Sequence, residues 1–329
     1  MTGYNQAQQE KIKAWDSAVS DTVQLDCRLT GSEQDGSFEA LADQLEQLVH
    51  HVSIKRSREP VIRFEKNLPG LLIKDNILYS ALPFERELGV FLKGLGWLND
   101  LPGIDDDIRK LLEALPFNVP LKLYIAQACP HCPALVETTM LLAMHSEKIL
   151  LEIIDGSMFV KAAQDDQVMA APCLILDNDF RWTGQVSALE ICRMMGSRDP
   201  SQLSTQSLRS ILEDGRASWI ADQMIERDEI FEGFFGLLLH EIWSVRLGAM
   251  VIVEQLAEEK PDLAKPLCDR LLSEFERHPV TIQGDILYAL GEAGSLETIG
   301  DIEKLLETIG EEELKEAGLE ALESLRERF

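Results

Sequence analysis

The chain is short of basic residues, of long apolar runs and of closely spaced cysteines. Lys and Arg number 31 against 57 Asp and Glu, for a net charge of −26. A surface so poor in cations argues against binding nucleic acid or an anionic membrane. No stretch of about 18 apolar residues occurs, so no membrane-spanning helix is expected. The opening residues, Met1-Thr2-Gly3-Tyr4-Asn5-Gln6, are polar and lead into no apolar signal core. A cytoplasmic protein is therefore expected. Six cysteines stand at 27, 129, 132, 173, 192 and 268, and only 129 and 132 are near neighbours. That excludes a disulfide-built secreted scaffold and leaves buried reduced thiols plus one functional pair. The histidines at 50, 51, 145, 240 and 278 and the scattered cysteines form no metal-ligand spacing. A zinc site at the pair would lack its other two ligands. No Gly-rich dinucleotide fingerprint follows a strand, and no cofactor is expected.

What is present divides into three regions. With 329 residues and 45% hydrophobic composition, two or three domains with their own cores are expected. Residues 1–118 give the order α-β-α, then a run of strands, then a closing helix. Helical periodicity covers 6–19, 38–49 and 85–95, and strand candidates fall at 23–29, 51–55, 61–65, 71–74 and 77–80. Residues 119–199 repeat that order. A strand at 121–126 leads to Cys129-Pro130-His131-Cys132 and a helical run from 134 to 144. A strand at 149–154, a short helix at 158–164, strands at 173–176 and 181–184 and a helix at 188–195 follow. Two copies of one α/β unit, one with a CxxC and one without, are thus expected in tandem.

Residues 200–329 change character. Strand signals vanish, and 28 acids against 12 bases from residue 201 onward place −16 of the total charge here. Helices over 245–256, 282–293 and 314–325 share a pattern, and aligning Ile252, Ala289 and Ala321 gives spacings of 37 and 32 residues. Those fall near the period of helical-pair solenoids, roughly 31–47 residues. Small residues at Gly248, Ala249, Gly284, Ala289, Ala317 and Gly318 favour close stacking. The region resembles HEAT-type repeats, entered through a helical pair at 205–226; an ordinary helical bundle is the alternative.

The quartet carries the chemistry. A CxxC at a strand-to-helix turn meets free N–H groups and the positive end of a helix dipole, and both favour the reactive thiolate. Cys129 is expected exposed at the helix start as nucleophile. Cys132, one turn inside, is expected to be buried and to resolve the mixed disulfide. Pro130 and His131 tune the pair, since an imidazole near the sulfurs favours thiolate, and thiol pKa values in such motifs span about 3.5 to 7. Pro172, about forty residues on, stands where thioredoxin-like folds carry a cis-proline whose preceding backbone pairs with a bound substrate chain. Cys173 follows it directly and reads as a buried strand residue, as do Cys27, Cys192 and Cys268.

The tandem layout, with Cys129-Pro130-His131-Cys132-Pro133, Ile154-Asp155-Gly156, Val168-Met169-Ala170-Ala171-Pro172 and Ala188-Leu189-Glu190-Ile191, resembles a known module. It is similar to the N-terminal domain of the flavin-containing alkyl hydroperoxide reductase component and to tandem-thioredoxin protein disulfide oxidoreductases. The resemblance covers roughly residues 5–197. It implies two fused thioredoxin folds, the second active, shuttling electrons to a peroxiredoxin or to protein disulfides. Leu82-Pro83-Phe84-Glu85-Arg86-Glu87-Leu88 is similar to the family's Pro-Leu-Gly-His-Glu-Phe, with Glu85 and Arg86 replacing its Gly and His. The match implies that Glu87 is the acid the first fold lends to the active site. In thioredoxin the buried acid precedes the first Cys by six residues; here that position is Leu123. The family's flavoprotein part is replaced by the helical repeats, so a separate reductase or small thiol is expected as electron donor.

Two functions follow. The first is a thiol–disulfide oxidoreductase acting on protein disulfides or a peroxiredoxin, with the repeats recruiting a protein partner. The second is a redox-gated interaction scaffold without turnover. An exposed cysteine at a helix start favours the first.

Overall fold

In the computed structural model, which describes residues 3–58 and 63–328, every assigned strand lies before residue 184. The chain divides into two units, Met1–Arg198 and Asp199–Phe329.

The first half of unit 1 contains α1 (Gln6–Asp16), β1 (Val23–Arg28), α2 (Asp35–Leu48), β2 (Val52–Ser57), β3 (Gly70–Lys74), β4 (Ile77–Ser80) and α3 (Glu87–Gly96). The second contains α4 (Asp106–Glu113), β5 (Val119–Ile125), α5 (Cys132–His145), β6 (Ile149–Asp155), α6 (Val160–Asp165), β7 (Cys173–Leu176), β8 (Phe180–Thr183) and α7 (Ala188–Ser197). All eight strands form one sheet in the order β2-β1-β3-β4-β6-β5-β7-β8. Each half pairs its first two strands in parallel and adds two antiparallel ones. The halves join where β4 pairs β6 in parallel, Tyr79 opposite Ile153. All seven residues of β6 are buried, as a central strand covered on both faces requires.

Local chemistry sets the element ends. Asn5 and Gln8 cap α1 reciprocally, each side chain accepting the other's backbone N–H at 2.9 Å. The helix stops at Asp16, short of the expected 19, where the N–H groups of Ala18 and Val19 turn to the Trp15 and Asp16 carbonyls at 2.9 and 3.3 Å; the Asp16 carboxylate accepts the N–H groups of His50 and His51 at 3.0 and 2.9 Å. The strand expected at 61–65 is not formed where it can be followed. Residues 61 and 62 lie outside the described residues, and 63–65 are turn and bend. The N–H groups of Glu65 and Lys66 instead go to the Glu152 carboxylate at 3.1 and 3.3 Å, while Phe64 packs on Leu78 and Leu150.

That loop helps close an ionic cluster over one sheet face. Lys122 on β5, 2% exposed, stands in register with Glu152 on β6. Its ammonium meets Asp166 at 2.9 Å, Glu65 at 3.0 Å and the Asn178 side chain at 2.6 Å. Asp166 also accepts from Tyr124 at 2.7 Å and pairs with Lys66 at 2.8 Å. Burial opposes ionisation of Asp166, but the bonds from Lys66, Tyr124 and Lys122 outweigh it and hold its carboxyl below the usual range.

Two further contacts bind the halves. Asn76, in the β3–β4 turn, is 1% exposed, and its amide donates to the carbonyls of Ala143, Ser146 and Ile149 at 2.9, 3.2 and 2.9 Å. One amide thereby ties the β3–β4 turn to the end of α5 and to the first residue of β6. Helix α3 lies against α5, where a Cβ at Gly94 would come within 2.1 Å of the Met140 methyl.

Unit 2 contains α8 (Thr205–Glu213), α9 (Ala217–Arg227), α10 (Glu232–Leu238), α11 (Trp243–Glu259), α12 (Pro261–Glu274), α13 (Val280–Ala293), α14 (Leu296–Thr308) and α15 (Glu312–Arg328). Helices α9, α11, α13 and α15 pack on one another in succession, with α12 against α11 and α13, and α14 against α15. Sequence periodicity leaves α10, α12 and α14 unassigned. Helix α12 carries an interior proline, Pro266, and α10 is seven residues with two glycines, so both break the usual helical signature. The turn expected at 258–262 shrinks to Lys260, because Pro261 takes the first helical position of α12, where its missing N–H costs nothing. Backbones approach closely where α13 meets α15: a Cβ at Gly291 would lie 2.9 Å from the Ala321 Cα.

Candidate redox site

The quartet sits between the end of β5 and the start of α5, with one shift from expectation. Helix α5 begins at Cys132 itself, so Cys129 lies just ahead of the helix and Cys132 is its first residue. Cys129 is half-buried rather than exposed, and Cys132 is fully buried. The reason is local. His131 takes the cap position, and Pro133 fills the second helical position, where no N–H partner is needed. Pro130 and His131 are exposed.

Two groups hold the Cys129 sulfur. It accepts the backbone N–H of Cys132 at 3.2 Å, a donor of the first helical turn, and its thiol donates to the Ala171 carbonyl at 3.4 Å. Together the two contacts fix the sulfur beside the N-terminal end of α5 and next to the backbone that precedes Pro172. The Ala171–Pro172 peptide is cis, Pro172 is buried, and its carbonyl accepts the Gly184 N–H at 2.9 Å. Cys129, Cys132 and Pro172 are thus brought together. Burial above all pushes the Cys132 thiol well above its ordinary range, with smaller contributions from the Cys129 sulfur and the Glu87 carboxylate. One sulfur is reachable and the other is kept protonated.

Glu87 comes to this site from the first half. It opens α3 and is 1% exposed, whereas Glu85 stays exposed with a left-handed backbone at φ 47°. One Glu87 carboxyl oxygen accepts the Tyr79 hydroxyl at 3.4 Å, and the other has no partner among the described residues. Burial pushes its carboxyl up to about 7; the Tyr79 bond opposes the rise and Asp155 adds to it. Sequence reasoning assigns no role to Tyr79 or Asp155. The alternation in β4 and its pairing with β6 are the available signal, since Tyr79, Ile153, Leu123 and Leu174 are cross-strand neighbours on one sheet face. Leu123 is fully buried there. Cys173, one residue before Leu174, belongs to the opposite face and is buried. Among the described residues no three His, Cys, Asp or Glu side chains group as metal ligands would, and no helix is long and apolar enough to cross a membrane.

The buried acid has a thermodynamic signature. Unfolded Glu87 ionises near 4.5 and folded Glu87 near 7. Between those values the unfolded state holds fewer protons, so stability falls as pH rises. Glu87→Gln removes this dependence. Relative to wild type, the variant is expected to gain about 3 kcal/mol of unfolding free energy between pH 4.5 and 8, read by chemical denaturation. Parallel pH profiles for the two proteins would contradict a buried, protonatable Glu87.

Comparison with known proteins agrees with this geometry. Residues 120–195 match the family model described as a thioredoxin domain. The alkyl hydroperoxide reductase component AhpF of Pseudomonas aeruginosa is 22% identical over 284 residues, spanning 82% of this chain and 52% of that protein. The chain therefore spans about half the length of that relative. Among solved structures, an N-terminal domain of AhpF from Enterococcus faecalis superposes with a TM-score of 0.52 at 14% identity, over 59% of this chain and 100% of that one. A protein disulfide oxidoreductase from Aeropyrum pernix gives a TM-score of 0.52 at 16% identity, over 59% and 93%. At these identities the shared property is the fold. The chain thus carries a thioredoxin-like α/β unit, similar to the N-terminal domain of the alkyl hydroperoxide reductase component AhpF and to a protein disulfide oxidoreductase, followed by a helical region.

Proposed function

We propose that the protein is a cytoplasmic thiol–disulfide oxidoreductase whose redox centre is the Cys129–Cys132 pair. The observation that carries the reading is the setting of the Cys129 sulfur, between the Cys132 N–H and the carbonyl that precedes cis-Pro172. In the forward step the Cys129 thiolate attacks one sulfur of a partner disulfide. The partner S–S bond breaks, a mixed disulfide forms, and the released partner sulfur takes a proton. Cys132 then loses its proton and attacks the Cys129 sulfur, freeing the second partner thiol and leaving the Cys129–Cys132 disulfide. Two electrons pass to the partner. In this reading ionised Glu87 is the base that takes the Cys132 proton; its pKa of about 7 suits proton transfer near neutrality. His131 and Pro130 border the reacting sulfurs. A separate reductase or small dithiol returns the electrons, and protein disulfides or a peroxiredoxin are the substrate class.

In this reading residues 1–118 and 119–199 are two fused thioredoxin-like folds, and residues 200–329 are HEAT-like repeats serving as a docking arm. The succession α9, α11, α13, α15 supports the repeat reading. A Cys132→Ser variant tests the chemistry. It should accumulate a mixed disulfide between Cys129 and a disulfide-bearing protein such as insulin, seen by mass and reversed by dithiol. Failure of both trapping and wild-type insulin reduction would overturn the proposal.

A further inference from the structure

Unit 2 carries a groove of about 770 Å³ along α11, α13 and α15. Its floor is made by small residues. A Cβ placed on Gly284 would meet nothing nearer than the Leu314 methyl at 4.0 Å, so the space above it is open. Two aromatic side chains stand in the groove, Trp243 at 62% exposure and Tyr288 at 43%. A soluble surface rarely leaves a tryptophan so uncovered beside a concavity unless something covers it.

The charge of the groove is one-sided. Glu241, Asp285, Glu292, Glu313 and Glu320 line it, against the guanidinium of Arg246 among the described lining residues. That guanidinium is 3% exposed and already committed to Asp285 and to the carbonyls of His240 and Glu241. Glu241, Glu313 and Glu320 are exposed, and no ion pair is formed by them among the described residues. An occupant must therefore bring positive charge to the rim and an apolar side chain to the aromatic pair.

We infer that the groove binds a basic polypeptide segment, with lysine or arginine side chains flanking one apolar residue that packs on Trp243 and Tyr288. Charge complementarity selects this occupant over acidic peptides and over nucleic acid. The inference rests on the docking-arm reading of unit 2 and is independent of the redox chemistry.

The test uses the full chain and a fluorescent synthetic peptide of alternating lysine and alanine with a central phenylalanine. Binding is followed by anisotropy. Binding is expected, weakening with added salt, and a glutamate-for-lysine peptide should not bind. Trp243→Ala should weaken it about tenfold or more. Gly284→Leu fills the groove at a helical position where leucine is the better helix former, and should abolish binding without unfolding the chain. Reversal of the groove acids, Glu313→Lys with Glu320→Lys, should weaken binding more than reversal of two exposed acids elsewhere, Glu258→Lys with Glu276→Lys. Equal loss in the two pairs, unchanged binding in Gly284→Leu, or no binding by wild type would overturn the groove. The same titration on a chain with Cys129 and Cys132 both changed to Ser separates the two readings. Peptide binding without insulin reduction in wild type would sink the redox proposal alone, and insulin reduction without peptide binding would sink the groove alone.

Discussion

Replacing Cys129 by serine is expected to lower insulin reduction by at least about a thousandfold, the scale on which removing a nucleophile acts. The substitution is nearly isosteric, and the half-buried position makes no core packing depend on sulfur. A serine hydroxyl stays un-ionised near neutral pH and cannot replace a thiolate as nucleophile. Cys132 cannot take over, because it is fully buried and its thiol is held protonated. The variant should therefore stay folded by circular dichroism and form no mixed disulfide. If it kept more than a few per cent of turnover, a different sulfur would have to be the nucleophile, and the assignment would fall. Capture of a basic peptide should survive unchanged, because unit 2 supplies that contact.

The second large effect is on stability. Lys122→Ala should destabilise unit 1 by about 3 kcal/mol, the loss of a buried ammonium's bonds to Asp166 and Glu65, although Lys66 still answers Asp166. Lys122 is 2% exposed and answers Asp166 and Glu65 directly, with Glu152 beside it in register. For a unit of this size that loss lowers the melting temperature by about 10 °C. Asp166 contributes stability that is present above its unfolded pKa and lost as pH falls through its depressed folded value. Removing the lysine should weaken that acid dependence as well as the midpoint. Calorimetry would show it, and an unchanged first transition would mean that the carboxylates are neutralised by other means.

Much of the fold is legible in the sequence because its signals are local. The alternation in β1, the apolar runs of β5 and β6 and the turn residues around β3 and β4 all sit within single elements. The cysteine pair and Pro172 are legible for the same reason. What stays hidden depends on partners distant in sequence. The turn-forming 63–66 segment makes sense only once Glu152 is seen to accept its N–H groups. Tyr79 reaches the site through Glu87 and sheet pairing, which no spacing rule reports. The depth of Cys129 differs from expectation because a proline in the first turn fixes where α5 starts, and a helical run read from residue 134 does not show it. In unit 2 the prolines and glycines of α10 and α12 hide helices whose packing against their neighbours outweighs poor propensity.

The pairing of β4 with β6 has a consequence for dissecting or recombining this protein. Each half looks self-sufficient on paper, yet β6 is flanked by β5 on one side and by a strand of the other half on its second. Cutting near residue 118 would leave seven consecutive buried residues along a bare hydrogen-bonding edge, an invitation to intermolecular strand addition. The half without the cysteine pair is in this sense an obligate escort of the half that has it. Swapping active halves between such proteins would have to carry the escort's edge strand along, so inheritance and engineering alike should treat the eight strands as one cassette.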